Sequence, residues 1–232
     1  MPVKLPRSFV MSLALVALAA AQSSPACAEL VLSRMIVELT PAEFQRSDIE
    51  LWNNGPDRAF VEIDPREIIA PGTPAQSSRK DPDPEKLGLL VSPERIILEP
   101  GQRRLLRIAS LGTSDRERVY RVTVKPVVGE LASQTSGLKL LVGYDVLVLV
   151  RPARAMPHVS ASRSGPQLSL KNDGNVSVEL VDGRACDQSM HNCSDLPAAR
   201  LYAGAEKTVN VEGASKIHYD LKVGSKLIAV EF

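Results

Sequence analysis

From Glu29 onward, apolar and polar positions alternate with a period of two instead of recurring at every third or fourth residue. Short runs rich in Val, Ile and Leu cover 32–39, 49–52, 59–63, 95–98, 105–108, 119–125, 138–142 and 146–150. Turn residues separate them, among them Asn53-Asn54-Gly55-Pro56 and Glu99-Pro100-Gly101. Many short strands at this spacing predict antiparallel sheets closed into a sandwich or barrel. No stretch has the period of a long amphipathic helix. The segment 70–86, dense in Pro, Ser and Asp, is expected to be a solvated loop.

The pattern breaks at Arg151-Pro152-Ala153-Arg154-Ala155-Met156-Pro157, where a strong apolar strand ends and two prolines bracket a linker. A second β pattern follows at 167–170, 176–181, 208–211, 216–223 and 227–230. The expected organisation is a first domain over 29–152 and a second over 153–232. Both sizes suit immunoglobulin-like sandwiches, so the fold class expected is all-β with two such domains.

Residues 1–28 have a different character. Lys4 and Arg7 precede the apolar run 9–21, and Ala26-Cys27-Ala28 supplies small residues around a cut. That is the order of a secretory signal peptide, with cleavage expected after Ala28. An uncleaved anchor and a lipoprotein acylated at Cys27 are the competing readings. The apolar run is short for a spanning helix, which needs about 20 residues. Cleavage leaves 26 basic against 27 acidic residues, a balance that makes no case for nucleic acid or an anionic membrane as partner. It also leaves two cysteines, Cys186 and Cys193, most simply a disulfide in an oxidising compartment.

Candidate chemistry is sparse. The three histidines, His158, His191 and His218, lie in separate segments, and no nucleophile elbow, phosphate-binding glycine loop or His-Glu-x-x-His pair occurs. Cys186, His191 and Cys193 could be soft metal ligands, but a tetrahedral site wants a fourth and no second cluster exists. The disulfide is preferred, with no metal, no cofactor and no enzymatic activity expected.

Four elements carry a family resemblance. Leu51-Trp52-Asn53-Asn54-Gly55 is one, and Val91-Ser92-Pro93-Glu94-Arg95-Ile96-Ile97-Leu98-Glu99-Pro100-Gly101-Gln102 leading into 104–108 is the second. Ser114-Asp115-Arg116-Glu117-Arg118-Val119-Tyr120 and Val148-Leu149-Val150-Arg151-Pro152 complete the set, in order. Together they resemble the PapD-like periplasmic pilus (fimbrial) assembly chaperones. The resemblance implies two immunoglobulin-like sandwiches joined at an angle. It implies pilin subunits as partners and delivery to an outer-membrane usher, from a periplasmic location without stable membrane insertion. A pilin subunit lacks the last strand of its own sandwich and so exposes an aggregation-prone edge. The chaperone lends it a strand, which is donor-strand complementation.

Carried onto this chain, the resemblance makes Leu138, Leu140 and Val142 the alternating side chains of the donor strand. It makes Arg34 the residue that grips the subunit's C-terminal carboxylate, since a guanidinium fork can hold both oxygens. The family's second anchor is a Lys, and Leu147 stands in its place, a departure from the family's two-point clamp. Arg151, Glu117 and, on looser spacing, Asp220 match an interdomain charge cluster. An exposed apolar strand would also favour a self-capping oligomer. The alternative from another class is a surface-fibre subunit or adhesin, and a secreted hydrolase on a β scaffold is the third.

Overall fold

The computed structural model describes residues 30–40, 45–127 and 141–232. The chain folds almost wholly into β-strands, arranged as two pairs of sheets.

Among the described residues the first pair holds ten strands. One sheet has β1 (Leu30–Leu32), β3 (Arg46–Asn53), β8 (Arg103–Ser110) and β6 (Leu89–Ser92) in that order. The facing sheet has β2 (Ile36–Leu39), β10 (Tyr144–Val150), β9 (Arg118–Val127), β4 (Ala59–Ile69) and β5 (Ser77–Arg79), with β7 (Arg95–Leu98) also paired to β4. The period-two pattern becomes burial directly. Ile49 and Leu51 of β3, Leu106 and Ile108 of β8, and Val122 and Val124 of β9 meet in one core between the sheets.

The run expected as one strand over 32–39 is two strands in different sheets. Leu30 and Leu32 pack on the core from β1, whereas Val37 and Leu39 do so from β2. The inward positions change from even to odd numbers, which one regular strand cannot do because its faces alternate strictly. The chain changes parity by crossing from one sheet to the other through Ser33, Arg34 and Met35, and β2 then runs parallel to β10.

The expected loop over 70–86 also needs correction. It contains β5, paired to β4, and a single-turn helix α1 (Pro84–Leu87). Asp83 caps that helix by accepting from the Glu85 N–H, and Gly88 ends it at φ 79°, a left-handed conformation that suits glycine. Leu87 goes into the core. Strand β4 runs past the expected 59–63 to Ile69 despite Pro65, because β7 pairs only up to Glu62 and β5 begins at Glu67. Pro65 therefore falls where the ladder on that side is open.

The second pair of sheets holds eight strands. One sheet has β11 (Val159–Ser164), β12 (Gln167–Asn172) and β16 (Glu206–Asn210). The other orders β14 (Cys193–Asp195), β13 (Val178–Cys186), β17 (Lys216–Val223) and β18 (Lys226–Glu231), with β15 (Ala199–Leu201) also on β13. A separate core forms from residues such as Leu170, Leu180, Tyr219 and Leu221. Strands β6, β11, β14 and β15 were not legible in the apolar pattern. β14 and most of β11 are exposed, and β6 and β15 are only three or four residues long.

One device appears in both halves. Asn53 and Asn172 are fully buried at strand ends. The Asn53 amide donates to the carbonyls of Asp57 and Leu98 at 2.7 and 3.0 Å, and its oxygen accepts the Gly55 N–H. The Asn172 amide donates to those of Val176 and Leu201, both at 2.8 Å, and its oxygen accepts the Gly174 N–H. Each Asn-x-Gly thus closes a turn and ties it to a neighbouring chain segment.

Candidate functional site

The expected donor segment lies just upstream of β10. Leu138 and Leu140 fall outside the described residues. Leu141 is half-buried and Val142 is 50% exposed, neither within a strand. Past Tyr144, whose hydroxyl donates to the Leu30 carbonyl, the environment changes. Val146, Val148 and Val150 point into the first core, and Leu147 and Leu149 are buried on the opposite face. β10 is thus covered on both faces, while its approach presents an apolar residue to solvent.

Arg34 sits in the crossover between β1 and β2. It is exposed, and its Nη1 lies 3.4 Å from the Ser47 hydroxyl, a long bond that holds the side chain weakly. The Met35 carbonyl accepts the Leu147 N–H at 2.9 Å, so the crossover is stitched to β10 beside Arg34. Leu147 itself is 5% exposed and packs with Val119 and Leu149, under Ile68 and Tyr202. Tyr202 belongs to the second half of the chain, so this cluster lies where the two sandwiches touch.

Arg151 and Glu117, both expected in an interdomain cluster, are brought together. They are 6% and 8% exposed and form an ion pair. Arg151 Nη1 also donates to the Ser177 carbonyl and hydroxyl at 3.1 and 3.2 Å, and Glu117 accepts the Ser177 N–H at 3.1 Å. Burial pushes the Glu117 carboxyl above the ordinary carboxylate range, against the opposing pull of Arg151 and the Ser177 bonds. Asn175 adds backbone and side-chain bonds to Glu117, Asp115 and Arg154.

Asp220 is placed otherwise. Its carboxylate lies 3.2 Å from His218 Nε2 on the same strand, β17. The second carboxylate on Arg151 is instead Glu38 of β2, at 3.1 Å. Glu38 was not legible as a partner, since it is one outward-facing acid on a short strand. Its position becomes meaningful only once β2 lies parallel to β10, whose exit carries Arg151.

Cys186 and Cys193 are bonded to each other and face across β13 and β14. Disulfide sulfurs are not thiolates, so the alternative of a soft metal site at these residues loses its ligands. Asp64 and Glu67 are each claimed by cations. Asp64 pairs with Lys80, and Glu67, buried, accepts from Arg79 Nη2 at 2.6 Å and Arg118 Nε at 2.7 Å. Burial alone would raise the Glu67 carboxyl, but the bonds and charges of Arg118 and Arg79 hold it below the usual range. Among the described residues no group of three or more His, Cys, Asp or Glu side chains is placed to hold a metal, and no helix is long and apolar enough to cross a membrane.

Comparison with known proteins points one way on architecture. No protein-family profile matches the chain. A curated relative from Escherichia coli, named as a subunit of CS1 fimbriae, is 29% identical over 156 residues, covering 63% of this chain and 65% of that protein. The match therefore spans just under two thirds of that relative. Among solved structures, a chain from a chaperone–tip adhesin complex of CFA/I fimbriae biogenesis superposes with a TM-score of 0.68 at 19% identity, covering 88% of this chain and 98% of that one. The class 5 fimbriae chaperone CfaA gives 0.65 at 20% identity, covering 88% and 97%. At these identities the likeness is one of fold, and the chain has the two-domain β-sandwich fold of the fimbrial chaperones.

Proposed function

We propose that this protein is a periplasmic chaperone that holds pilus subunits by donor-strand complementation and hands them to an outer-membrane usher. The observation that carries the reading is the contrast at the start of β10: Val142 is half exposed, whereas Val146 and every residue after it in the strand are buried. A strand firmly anchored downstream and apolar upstream can offer its leading segment to a partner. Leu138, Leu140 and Val142 would fill the subunit's groove while the backbone pairs with its open edge. Each side chain, if fully buried on binding, contributes about 1.5–3 kcal/mol before ordering costs. Arg34 would hold the subunit's terminal carboxylate. Residues 1–28 act as a cleaved signal in this reading, and the domains divide at Pro152.

The name of the curated relative favours a second reading, in which the chain is itself a fibre subunit. The fold speaks against it, because it matches that of a dedicated fimbrial chaperone along 97% of the latter's length. The deciding experiment co-expresses candidate subunits with the wild-type chain or with L138D/L140D/V142D. The chaperone reading expects soluble subunit to copurify with the wild type and to be lost with the variant. Equal recovery with both would overturn it, and recovery of the chain itself from sheared surface fibres would establish the second reading.

A further inference from the structure

The two sandwiches are wired alike, and one edge that is covered in the first is open in the second. Beyond the side-chain bonds described above, the Asn53 N–H donates to the Gln102 carbonyl, and the Asn53 carbonyl accepts the Gly101 N–H. Asn172 makes the same two bonds with Ala205 and Gly204. Tyr120 of β9 and Tyr219 of β17 are each fully buried, and their hydroxyls donate to the Leu87 and Pro197 carbonyls at 3.1 and 3.2 Å. β9 therefore corresponds to β17. β10 and β18, the strands that follow them and pair with them antiparallel, correspond to each other.

On β10, Val146, Val148 and Val150 face the core, and the backbone groups of the odd-numbered residues face β2. The Leu147 and Arg151 N–H groups donate to Met35 and Leu39 at 2.9 and 2.8 Å, and Val37 and Leu39 of β2 close the core beside them. β18 has the same alternation. Ile217 and Phe232 exchange both backbone bonds, at 3.3 and 2.9 Å, which leaves the N–H and C=O groups of Leu227, Ala229 and Glu231 pointing away from β17. Val230 and Phe232 pack against the second core from the alternate positions, and Ile228 is 41% exposed. No strand among the described residues pairs with that outer edge. The first sandwich covers its edge by crossing from β1 to β2, whereas β11 stays paired with β12 along its whole length. Beside β18 this leaves a groove of about 480 Å³ lined by Val159, Leu168, Ile217, Glu231 and Phe232.

We propose that the outer edge of β18 receives an extended segment of a partner polypeptide as a parallel strand, with alternating apolar residues turned to the groove, an acidic residue beside Lys226 and a basic residue beside Glu231. The place of β2 on β10 supplies the direction and the apolar alternation. Lys226 and Glu231 supply the charges, since among the described residues neither is ion-paired. Backbone pairing gives the site affinity, and the groove gives it register. The β18 of a second copy is a poor match in this direction, because parallel pairing in register sets Lys226 against Lys226 and Glu231 against Glu231. The site belongs to the second sandwich and is independent of the donor-strand reading.

The test titrates the purified mature protein with a capped peptide in which valines alternate with threonines between a leading glutamate and a final lysine. Amide NMR shifts and hydrogen exchange locate it. Binding is expected to shift the amides of Leu227, Ala229 and Glu231 and to slow their exchange, while those of Val142 and Tyr144 stay in place. A229P removes an outward donor but spares the pairing with β17, so it should bind at least about tenfold more weakly with an unchanged thermal melt. K226E/E231K keeps the edge and reverses its ends. It should prefer a peptide with the two charged residues swapped by about two- to fivefold. Should A229P prove less stable than the wild type, the swapped preference alone decides. Amide exchange at β18 that is unchanged by peptide, a wild type and a K226E/E231K that both bind the two peptides equally, or shifts confined to Val142 and Tyr144 would overturn the proposal. Protection of β18 that rises with protein concentration in the absence of peptide would overturn it too, by making a second copy the occupant.

Discussion

Glu67 illustrates how a residue with no functional motif can govern local structure. It is an acid in the middle of β4, and alternation alone would leave it solvated. It is buried because Arg118 comes from β9 and Arg79 from β5, each covering one side of the carboxylate. Arg118 Nη2 also donates to the Leu87 carbonyl at 2.7 Å, so the same group holds the end of α1. Because the folded-state carboxyl lies below its ordinary value, the unfolded chain takes up the proton more readily. The resulting stability is present above pH 4.5 and is lost as the pH falls through the folded value. E67Q is expected to cost about 2 kcal/mol at pH 7, since both arginines are partly exposed and the pair is partly screened. It should also flatten the acid limb of stability against pH, as urea denaturation at a series of pH values would show. The partners of Glu67 lie 12 and 51 residues away, which is why no local pattern revealed them. Asn53 and Asn172 are intermediate cases. An Asn-x-Gly is a local turn signal, but the burial of each Asn and its bonds to Leu98 and Leu201 depend on segments 45 and 29 residues distant.

Strands were legible wherever one face is buried and the run is long enough to show alternation. β17 occupies the expected 216–223 without change. β1 and β2 failed as a single strand because alternation does not say which sheet a residue joins. β5 failed because all three of its residues are exposed and it exists by pairing with β4. The hairpin of β13 and β14 sits in this class as well, since β14 is wholly exposed and is held by Cys186–Cys193 with few apolar contacts. Cross-linking residues seven apart removes about 2.5 kcal/mol of unfolded-chain entropy. C186A/C193A is therefore expected to lower stability by no more than about that amount, with faster amide exchange confined to β14 and its turn. Subunit recovery should not change, because the hairpin lies in the second sandwich. Lost recovery would show that the second sandwich shapes the binding site.

At the scale of the whole molecule, the two sandwiches are joined by a buried network, not by the linker alone. Glu117 and Arg151 come from the first, Ser177 and Asn175 from the second. Removing Arg151 would strand the Glu117 carboxylate in a buried site, and R151A is expected to cost about 3–5 kcal/mol. The carboxyl is raised in the folded state, so the folded chain binds its proton more readily and stability declines as pH rises above 4.5. The R151A deficit should accordingly shrink on acidification, where a protonated Glu117 no longer needs a cation. Thermal melts at several pH values test the deficit, and small-angle scattering should show a broader range of interdomain angles. A narrow, wild-type scattering profile would place the orientation with Tyr202 and its apolar contacts instead.

What the sequence determined by itself was the class of structure: an almost wholly β chain with strands set by alternation, and the residues through which it resembles pilus chaperones. Those follow from short-range chemistry, because a strand's faces and a turn's residues are local properties. The tertiary structure alone decided which charges meet. Glu38, not Asp220, is the second carboxylate on the Arg151 guanidinium. Ion partners are chosen by strand order and register, and these are settled only when distant segments pack on a common core.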